Sequence, residues 1–531
     1  MEALDKQFGI TEAGSTVEGE IRAGVTTFLT MAYILLVNPA MLSGTGMEFD
    51  DALFATAIAA FVGCTVMGLW ANLPFALAPG MGLNAYFVFT VVIGMGVAWE
   101  IALAAVLIEG ILFMIMSLPQ VGWRTQMINS IPTDLKIATG AGIGMFLALI
   151  GLQETGIIVN DAVTLNELAA TGMWEYDSGE FIALIGLIAI GGMMARGIPG
   201  AIIIGIAGMS IWGWAVGATD PYNMLGNADP LIFYFDADGN AVDVLATASY
   251  MCVDAAGNEG CYYAGTDVLV AVNVPAGWGA GTADWPAAGD IITTDALTAT
   301  GAVGAAVGAF GDIGSGTGQT PLGDFLLIMI TFLFVDIFDT AGTLYSVGRA
   351  AGYVDENDEL MNSNEAFMSD AAATIVGALT GTSTTTTYIE SVAGVEEGGK
   401  TGLTAVTVGV LMLTGLFFSN VFQAIPTFAA ACALVVIGAM MMRQAADIDW
   451  NNGEVALPAF LTMVMMPFTY SIADGIAWGV ISYVAIKAGM GKFDEINKIM
   501  GTLAILMIMF YLGPGDTSTF DWIFETIGLN E

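Results

Sequence analysis

The stretch Ala78-Pro79-Gly80-Met81-Gly82-Leu83-Asn84 decides the fold, because it interrupts an apolar segment (75–95) that is long enough to cross a bilayer. Proline removes a backbone donor and glycine weakens a helix, so this stretch cannot continue as a lipid-facing helix. Irregular backbone at membrane depth persists only where protein or a water-filled cavity covers it. The sequence therefore predicts a broken span inside a helical membrane protein.

A second interruption lies in the other half of the chain, at Gly381-Thr382-Ser383-Thr384-Thr385-Thr386-Thr387-Tyr388-Ile389-Glu390. Its run of β-branched residues favours a short extended segment before a half-helix. Each interruption leaves a helix N-terminus, with unpaired N–H groups and a partial positive charge, near the middle of the membrane. A single break is commonly a packing kink, whereas breaks at corresponding places in two halves indicate a ligand site.

Apolar stretches of spanning length recur through most of the 531 residues, and about fourteen can be counted. The composition agrees, because only 12% of the residues are charged, against about 25% in soluble domains. The predicted spans are 22–42, 52–72, 75–95, 99–119, 136–156, 180–196, 198–218, 322–346, 365–381, 384–398, 401–421, 425–443, 455–472 and 474–489. We therefore expect an all-α polytopic membrane protein and exclude a soluble multidomain one.

The few basic residues indicate the orientation, since Lys and Arg collect in cytoplasmic loops. They lie before the first span or after even-numbered spans, which predicts a cytoplasmic N-terminus (1–21) in a multi-pass protein of the cell membrane. The long acidic loop (219–321) then lies outside the cell. It contains Cys252 and Cys261, and the residues alone leave a disulfide and two free thiols equally open.

Charge and residue content exclude several classes of function. The chain has 11 Lys plus Arg against 51 Asp plus Glu, a net charge of −40 that repels nucleic acid. It contains no histidine, which excludes Ser-His-Asp catalysis, a histidine-ligated metal and a histidine proton relay. Proton chemistry therefore falls to carboxylates. We expect no enzyme activity, no cofactor and no bound metal.

Short matching strings indicate an internal repeat. Ile131-Pro132-Thr133 opens the fifth span and Ile425-Pro426-Thr427 opens the twelfth, an offset of 294. Val37-Asn38-Pro39 of the first span matches Val335-Asp336-Ile337 of the eighth at an offset of 298. Seven spans in each half would insert the second half upside down, and inverted repeats are typical of secondary transporters. The resulting units are 1–21, the first repeat 22–218, the loop 219–321, the second repeat 322–489, and a segment 490–531 with a short apolar helix and an acidic tail.

Two carboxylates, Asp336 and Asp339, lie three residues apart in the eighth span and hence on one helical face. An ionised carboxylate at the bilayer centre costs about 2.5–3.5 kcal/mol, so a sequence seldom carries one without a use. Carboxylates this close repel, which makes one of them a candidate to hold and exchange a proton. Glu390 adds a third acid, whereas Glu109 lies near no helix break and is interpreted as structural. The alternative is that the acids pair with hydroxyls such as Thr340 and lock the bundle.

Four longer motifs carry a family resemblance. They are EIRAGVTTFLTMAYI (20–34) with Val37-Asn38-Pro39 after it, PGMGLNAYF (79–87), VDIFDTAGTLYSVGRAAGY (335–353) and GTSTTTTYIESVAGVEEGGKTGLTAV (381–406). All four are similar to motifs of the adenine/guanine/hypoxanthine permeases, the azaguanine-resistance-type branch of the nucleobase transporters. The resemblance covers about 16–218 and 322–490.

This resemblance implies fourteen helices in two inverted sevens. Spans 1–4 and 8–11 would form a core domain, and spans 5–7 and 12–14 a gate domain. It also implies proton-coupled uptake of purine bases across the plasma membrane, with sodium as the alternative coupling ion and a homodimer as a family-level expectation. Alternatives are the same fold carrying uracil, xanthine or another small solute, a channel, and an intramembrane aspartyl protease. The protease is disfavoured because its two aspartates lie on separate helices.

The same resemblance implies the site residues. On matching positions, Asp336 and Glu390 would be the main purine-binding acids, and Asn84 and Asp339 would serve binding or coupling. The coupling proton would bind Asp339, Asp336 or Glu390. The remaining predicted substrate-binding residues come from the threonine run, and they are Thr386 and Thr387.

Purine chemistry agrees with acids as ligands. A carboxylate can accept two N–H groups at once, and a purine edge presents such donors next to ring-nitrogen acceptors. Phe338 and Tyr86 are candidates to stack on the flat ring.

Overall fold

The computed structural model describes residues 2–118, 120–121, 130–161, 165–169, 175–218, 234–235, 241–242, 250–253, 259–263, 293–314, 320–350, 352–354, 360–511 and 526. The helices of the first half are α1 (Glu2–Phe8), α2 (Val17–Met31), α3 (Ile34–Ser43), α4 (Phe49–Val66), α5 (Met81–Ala85), α6 (Trp99–Ser117), α7 (Thr133–Glu154), α8 (Gly179–Ala195) and α9 (Ala201–Val216), with π-helical segments at Met67–Ala71 and Tyr86–Gly94.

The helices that follow are α10 (Asp295–Thr298), α11 (Ala305–Gly308), α12 (Leu322–Ala350), α13 (Ser363–Thr380), α14 (Ser391–Glu396), α15 (Gly402–Met412), α16 (Ser419–Gln423), α17 (Thr427–Met442), α18 (Gly453–Thr469), α19 (Ile472–Gly489) and α20 (Lys498–Tyr511). Turns of 3₁₀ helix lie at Ala309–Asp312, Leu413–Phe418, Arg443–Asp447 and Phe493–Glu495. The strands are β1 (Leu77–Pro79), β2 (Ile158–Asp161), β3 (Leu165–Leu168), β4 (Tyr234–Phe235), β5 (Ala241–Val242), β6 (Tyr250–Val253), β7 (Glu259–Tyr263) and β8 (Thr385–Thr387).

The described helices have the character of membrane spans. By length and composition, seven of them can cross a bilayer, and they are Val17–Ser43, Phe49–Ala71, Trp99–Ser117, Thr133–Glu154, Gly402–Gln423, Thr427–Asp447 and Ile472–Gly489. Large apolar side chains such as Ile188 and Phe468 are 65% and 70% exposed, whereas the carboxylates of Glu109 and Asp336 are fully buried. Exposed apolar side chains together with buried carboxylates are typical of a multi-pass membrane protein.

The two predicted interruptions form short extended segments that pair with each other. β1 and β8 are antiparallel, and Ala78 lies opposite Thr386 at the centre of the pair. Just beyond the strands, the N–H of Gly80 donates to the carbonyl oxygen of Thr384 at 2.9 Å. Segments that are about 300 residues apart in the chain thus satisfy each other's backbone groups in the interior. The half-helix α5 begins at Met81, just after β1, and α14 begins at Ser391, after the short turn that follows β8.

A side chain from a neighbouring helix satisfies the outer edge of each strand. The Sγ of Cys64, in α4, lies 3.1 Å from the nitrogen and 3.2 Å from the oxygen of Leu77. The Oγ1 of Thr374, in α13, lies 3.1 Å from the nitrogen and 3.0 Å from the oxygen of Thr385. Cys64 therefore holds β1 in place, and Thr374 does the same for β8.

The helices pack in two groups. The first contains α2, α3, α4 and α6 with α12 to α15, and the second contains α7 to α9 with α17 to α19. In the second group α7 and α17 cross backbone to backbone at Gly144 and Gly438. A Cβ on Gly438 would lie 2.3 Å from the oxygen of Gly144, and a Cβ on Gly144 would lie 2.7 Å from the oxygen of Gly438. These two glycines are 294 residues apart, which is the offset of the predicted repeat.

The strands β6 and β7 belong to the long loop and carry Cys252 and Cys261. They pair antiparallel, with Met251 opposite Tyr262. The disulfide between the two cysteines stays a prediction. The apolar run near the C-terminus is the helix α20, which packs against α19.

Thr374→Val should destabilise the protein, because valine keeps the shape of threonine and leaves the backbone N–H and C=O of Thr385 without their partner. Buried groups left in this way cost about 1–3 kcal/mol. Thermal unfolding of the purified protein in detergent, followed by tryptophan fluorescence, measures the effect. The matched control is Thr380→Val on the same helix, where the hydroxyl donates to the carbonyl of Val376 in its own helix. Equal melting temperatures for the two variants would contradict this role of Thr374.

Candidate functional site

A cavity lies beside the crossing of β1 and β8, between the two groups of helices. Its lining residues are Tyr33, Gly80, Met81, Gly82, Asp339, Thr343, Thr386, Thr387, Tyr388, Ile389, Glu390, Ile437, Met441 and Gln444. All of the carboxylates, hydroxyls and aromatic rings in this set lie on α12, on the segment from β8 to α14 or in the turn between α2 and α3, on the side of the first group of helices. The second group contributes Ile437 and Met441 of α17 and Gln444 of the turn after it, which share one helical face by their spacing.

Two acids face this cavity, and both are almost fully buried. Glu390 is 4% exposed and Asp339 is 5% exposed. The hydroxyl of Tyr33, which lies between α2 and α3, donates to Oε1 of Glu390 at 2.6 Å. This hydrogen bond fixes one carboxylate oxygen and orients the Tyr33 ring at the cavity wall.

The crossing itself supplies the remaining polar wall. The hydroxyl of Tyr388 donates to the carbonyl of Pro79 at 2.6 Å, which fixes the Tyr388 ring against β1. A Cβ on Gly80 would lie 2.7 Å from Cγ2 of Thr386, so only glycine permits this close approach. The Oγ1 of Thr387 is buried and has no hydrogen-bond partner among the described residues, which suits contact with a bound ligand.

Four of the predicted site residues line the cavity, namely Asp339, Glu390, Thr386 and Thr387. Asp336 lies outside the lining and is fully buried, with its Oδ1 accepting a hydrogen bond from Thr340 at 3.0 Å. The two aspartates of α12 thus have different surroundings, although the sequence assigns them to one helical face.

Asn84 also lies outside the lining. Its Oδ1 accepts a hydrogen bond from the hydroxyl of Ser383, so it ties the first interruption to the second. The proposed stacking residues lie elsewhere too. Phe338 is 1% exposed in the core, and the ring of Tyr86 packs edge-on against Phe332 with the centroids 5.0 Å apart.

Sequence reasoning missed Tyr33, Tyr388 and Gln444. Tyr388 could have been predicted, because it belongs to the second interruption and lies two residues before Glu390. Tyr33 lies 357 residues from Glu390, and nothing in the local pattern links them. Gln444 lines the cavity from the side of the second group of helices, and no sequence motif there indicates a ligand-binding residue.

Comparison with known proteins identifies the family of this chain. The model of the Permease family matches residues 18–263 and 320–478, more than half of the chain. This chain belongs to that family. A guanine/hypoxanthine permease of Bacillus subtilis is 35% identical over 509 residues, which cover 94% of this permease and 99% of the relative. An adenine permease of Escherichia coli is 32% identical over 506 residues, which cover 95% of each chain.

Solved structures show the fold of this permease. The transmembrane domain of the cyanobacterial bicarbonate transporter BicA superposes with a TM-score of 0.50 at 14% sequence identity, covering 88% of this permease and 97% of that domain. The permease therefore has a membrane transporter fold, as the sequence predicts. The likeness concerns the fold alone.

Tyr33→Phe should destabilise the permease, because phenylalanine keeps the ring but removes the hydroxyl that donates to Glu390. A hydrogen bond to a charged group contributes about 1.5–3 kcal/mol. Tyr353→Phe is the control, since that hydroxyl donates to the carbonyl of Lys400 at an exposed position. Thermal unfolding in detergent should separate the two variants, and equal stability would show that the Glu390 carboxylate does not depend on Tyr33.

Proposed function

We propose that this permease transports purine nucleobases across the cell membrane. The observation that carries the proposal is the pair of buried carboxylates, Asp339 and Glu390, in one cavity between the two groups of helices. The substrates after which the relatives are named, guanine, hypoxanthine and adenine, support a purine. The short extended segments and half-helices beside the cavity support transport, because secondary transporters build their midplane sites in this way.

The chemistry of the lining suits a neutral, flat base. A carboxylate accepts two adjacent N–H groups, such as N1–H and the exocyclic amine of guanine. Tyr33 and Tyr388 replace Phe338 and Tyr86 as the candidates to stack on the ring, and both are held by their hydroxyls. Thr387 offers a hydroxyl to a ring nitrogen or carbonyl. In this proposal Asp339 and Glu390 bind the base, and Asp336 does not touch it.

The finer architecture is part of the same proposal. Fourteen spans would form two inverted repeats, 22–218 and 322–489, with the first group of helices as the core domain and the second as the gate domain. The contact of Gly144 with Gly438 supports the repeat, since the two are 294 residues apart. The matching roles of Cys64 and Thr374 at the strand edges support it as well.

The proposal also includes the orientation predicted from the sequence and the coupling and oligomeric state implied by the family resemblance. The N-terminus would be cytoplasmic and the loop 219–321 extracellular, with a disulfide between Cys252 and Cys261. Uptake would be coupled to protons, and the permease would work as a homodimer.

Uptake of radiolabelled hypoxanthine by cells that lack their own purine permeases tests the function. We expect saturable uptake, with competition by unlabelled guanine and adenine. Competition only by uracil or xanthine would show that the permease carries a different base. Absence of uptake despite membrane expression would overturn the proposal.

Glu390→Gln should lower this uptake by about 10- to 100-fold, since a bidentate contact to a base edge is worth about 1–3 kcal/mol. Glutamine keeps the size of the side chain but cannot accept two N–H groups on one charged carboxylate. The matched control is Glu396→Gln, which removes an exposed acid from the end of α14. Full uptake by Glu390→Gln would remove Glu390 from the binding site.

A further inference from the structure

Part of the long loop lies against the membrane helices, and we call residues 293–312 the docked segment. It contains α10, α11 and the 3₁₀ turn that follows them. α10 packs on α4 and on the turn after α15, whereas α11 packs on α6 and α13. All four of these helices belong to the first group, so the docked segment is a part of that group's surface.

Backbone hydrogen bonds hold the docked segment on these helices. Its N–H groups donate from Thr293 to the carbonyl of Phe417 at 3.0 Å, from Gly301 to Oδ1 of Asp51 at 2.8 Å, and from Gly304 to the carbonyl of Leu379 at 2.8 Å. Phe417 and Asp51 lie inside the candidate spans Gly402–Gln423 and Phe49–Ala71, close to one end of each. The docked segment is therefore level with the ends of the spans, where the hydrocarbon core meets the headgroups.

The side chains of the docked segment divide by size between its two faces. The face on the helices carries alanines that are at most 3% exposed, namely Ala296, Ala302, Ala306 and Ala309. The opposite face carries larger apolar side chains that are between 38% and 53% exposed, namely Leu297, Val303, Val307 and Phe310. In water the large apolar side chains would be the ones to be buried. This face is therefore built for an apolar surrounding.

The charges of the sequence agree with this assignment. The loop 219–321 is rich in acids, but residues 296–311 contain no charged side chain. Asp295 and Asp312 stand immediately outside this uncharged stretch. A contiguous apolar face of this kind marks a site of contact with protein or membrane.

The exposed face continues the lipid-facing surface of the spans. Phe417 and Phe418, in the turn on which α10 packs, are 39% and 38% exposed and lie within a candidate span. α6, on which α11 packs, likewise exposes Ile111 and Ile115. Apolar side chains that point outward from a span contact acyl chains. Because the docked segment extends this surface without a charge between them, lipid is the occupant that fits it.

A corresponding segment in the first half shows that the docking is part of the fold. α1 precedes α2 as α11 precedes α12, and the carbonyl of Phe8 accepts from Nδ2 of Asn72 at 3.0 Å. Asn72, before β1, and Gly381, before β8, both have positive φ angles, and a Cβ on Gly381 would lie 2.4 Å from that of Ala302. Three of the seven residues of α1 are charged, which suits water. The two segments thus dock in similar places but present different surfaces.

We propose that the docked segment inserts Val303, Val307 and Phe310 into the membrane interface, where they contact the acyl chains of the lipid. In the proposed orientation this is the outer leaflet, so part of the long loop lies in the membrane and not in the external water. Asp295 and Asp312 mark the points at which the chain returns to water. An interfacial depth also suits the irregular backbone between α10 and α11, because water can still reach its polar groups.

A fluorescent label on the exposed face tests this contact. The full-length protein carries Cys252→Ser and Cys261→Ser, and it keeps Cys64 and Cys432, which are buried and shielded from the reagent. Without a further cysteine this background protein should take up no label, which is the first control.

Val307→Cys in this background is labelled with the environment-sensitive fluorophore NBD and reconstituted in phosphatidylcholine liposomes. The matched control is Asp312→Cys, because Asp312 is also exposed and lies at the end of the same segment. Two quenchers are compared, iodide in the water and a phosphatidylcholine that carries a nitroxide high on its acyl chain.

We expect the emission of labelled Val307→Cys to be shifted to the blue relative to Asp312→Cys, and to be quenched by the nitroxide lipid more than by iodide. Asp312→Cys should show the reverse order. Equal quenching by iodide at the two positions would overturn the proposal, since the face would then lie in water. Protection of Val307→Cys from both quenchers would overturn it as well, because a second copy or another part of the chain would then cover the face.

Phe310→Cys gives a second measurement on the same face, two residues from the control position. If Val307→Cys does not fold or does not label, the order of the two quenchers at Phe310→Cys decides in the same way. Neither measurement involves transport. Absence of purine uptake would therefore leave the lipid contact standing, and a docked segment in water would leave the proposed function standing.

Discussion

The fold depends on one constraint, that backbone N–H and C=O groups in the hydrocarbon core must find partners within the protein. An unpaired group there costs several kcal/mol, so a broken helix survives only if something else takes up its hydrogen bonds. In this permease β1 and β8 satisfy each other along their facing edges, and Cys64 and Thr374 satisfy the outer edges. Neither interruption could exist without the other, and the crossing therefore fixes the two halves of the chain against each other.

The site is a consequence of this crossing. The strands use most of their backbone groups in pairing, so the chemistry available to a ligand comes from the side chains around them. Tyr388 is held by the carbonyl of Pro79, and Glu390 by the hydroxyl of Tyr33. Gly80 leaves the space in which β1 approaches Thr386. The residues that complete the fold and those that face the cavity are therefore largely the same, which is why the most informative motifs lie at the two interruptions.

The sequence predicts the helices and the two interruptions because these depend on local properties, namely long apolar runs, Pro and Gly, and a β-branched run. It does not predict that β1 pairs with β8, since three residues per strand carry little pairing information across a separation of about 300 residues. In the site, Glu390 and Thr386 are predictable because they adjoin an interruption. Asp336 and Asp339 are harder to separate, because three residues along a helix differ by about 60° in direction. That difference turns Asp339 toward the cavity and leaves Asp336 outside its lining, and only the packed structure reveals it.

A transporter that binds a neutral base with acids and also couples to protons places two different requirements on its carboxylates. An acid that accepts two N–H groups must be ionised, whereas an acid that carries the coupling proton must change its protonation state in every cycle. One group cannot do both at the same moment. The cavity holds two acids, Asp339 and Glu390, so in the proposed mechanism one of them can accept the N–H groups of the base while the other changes its protonation state. Binding and coupling would then belong to different side chains, and substitution of either acid would separate them even though both line one buried cavity.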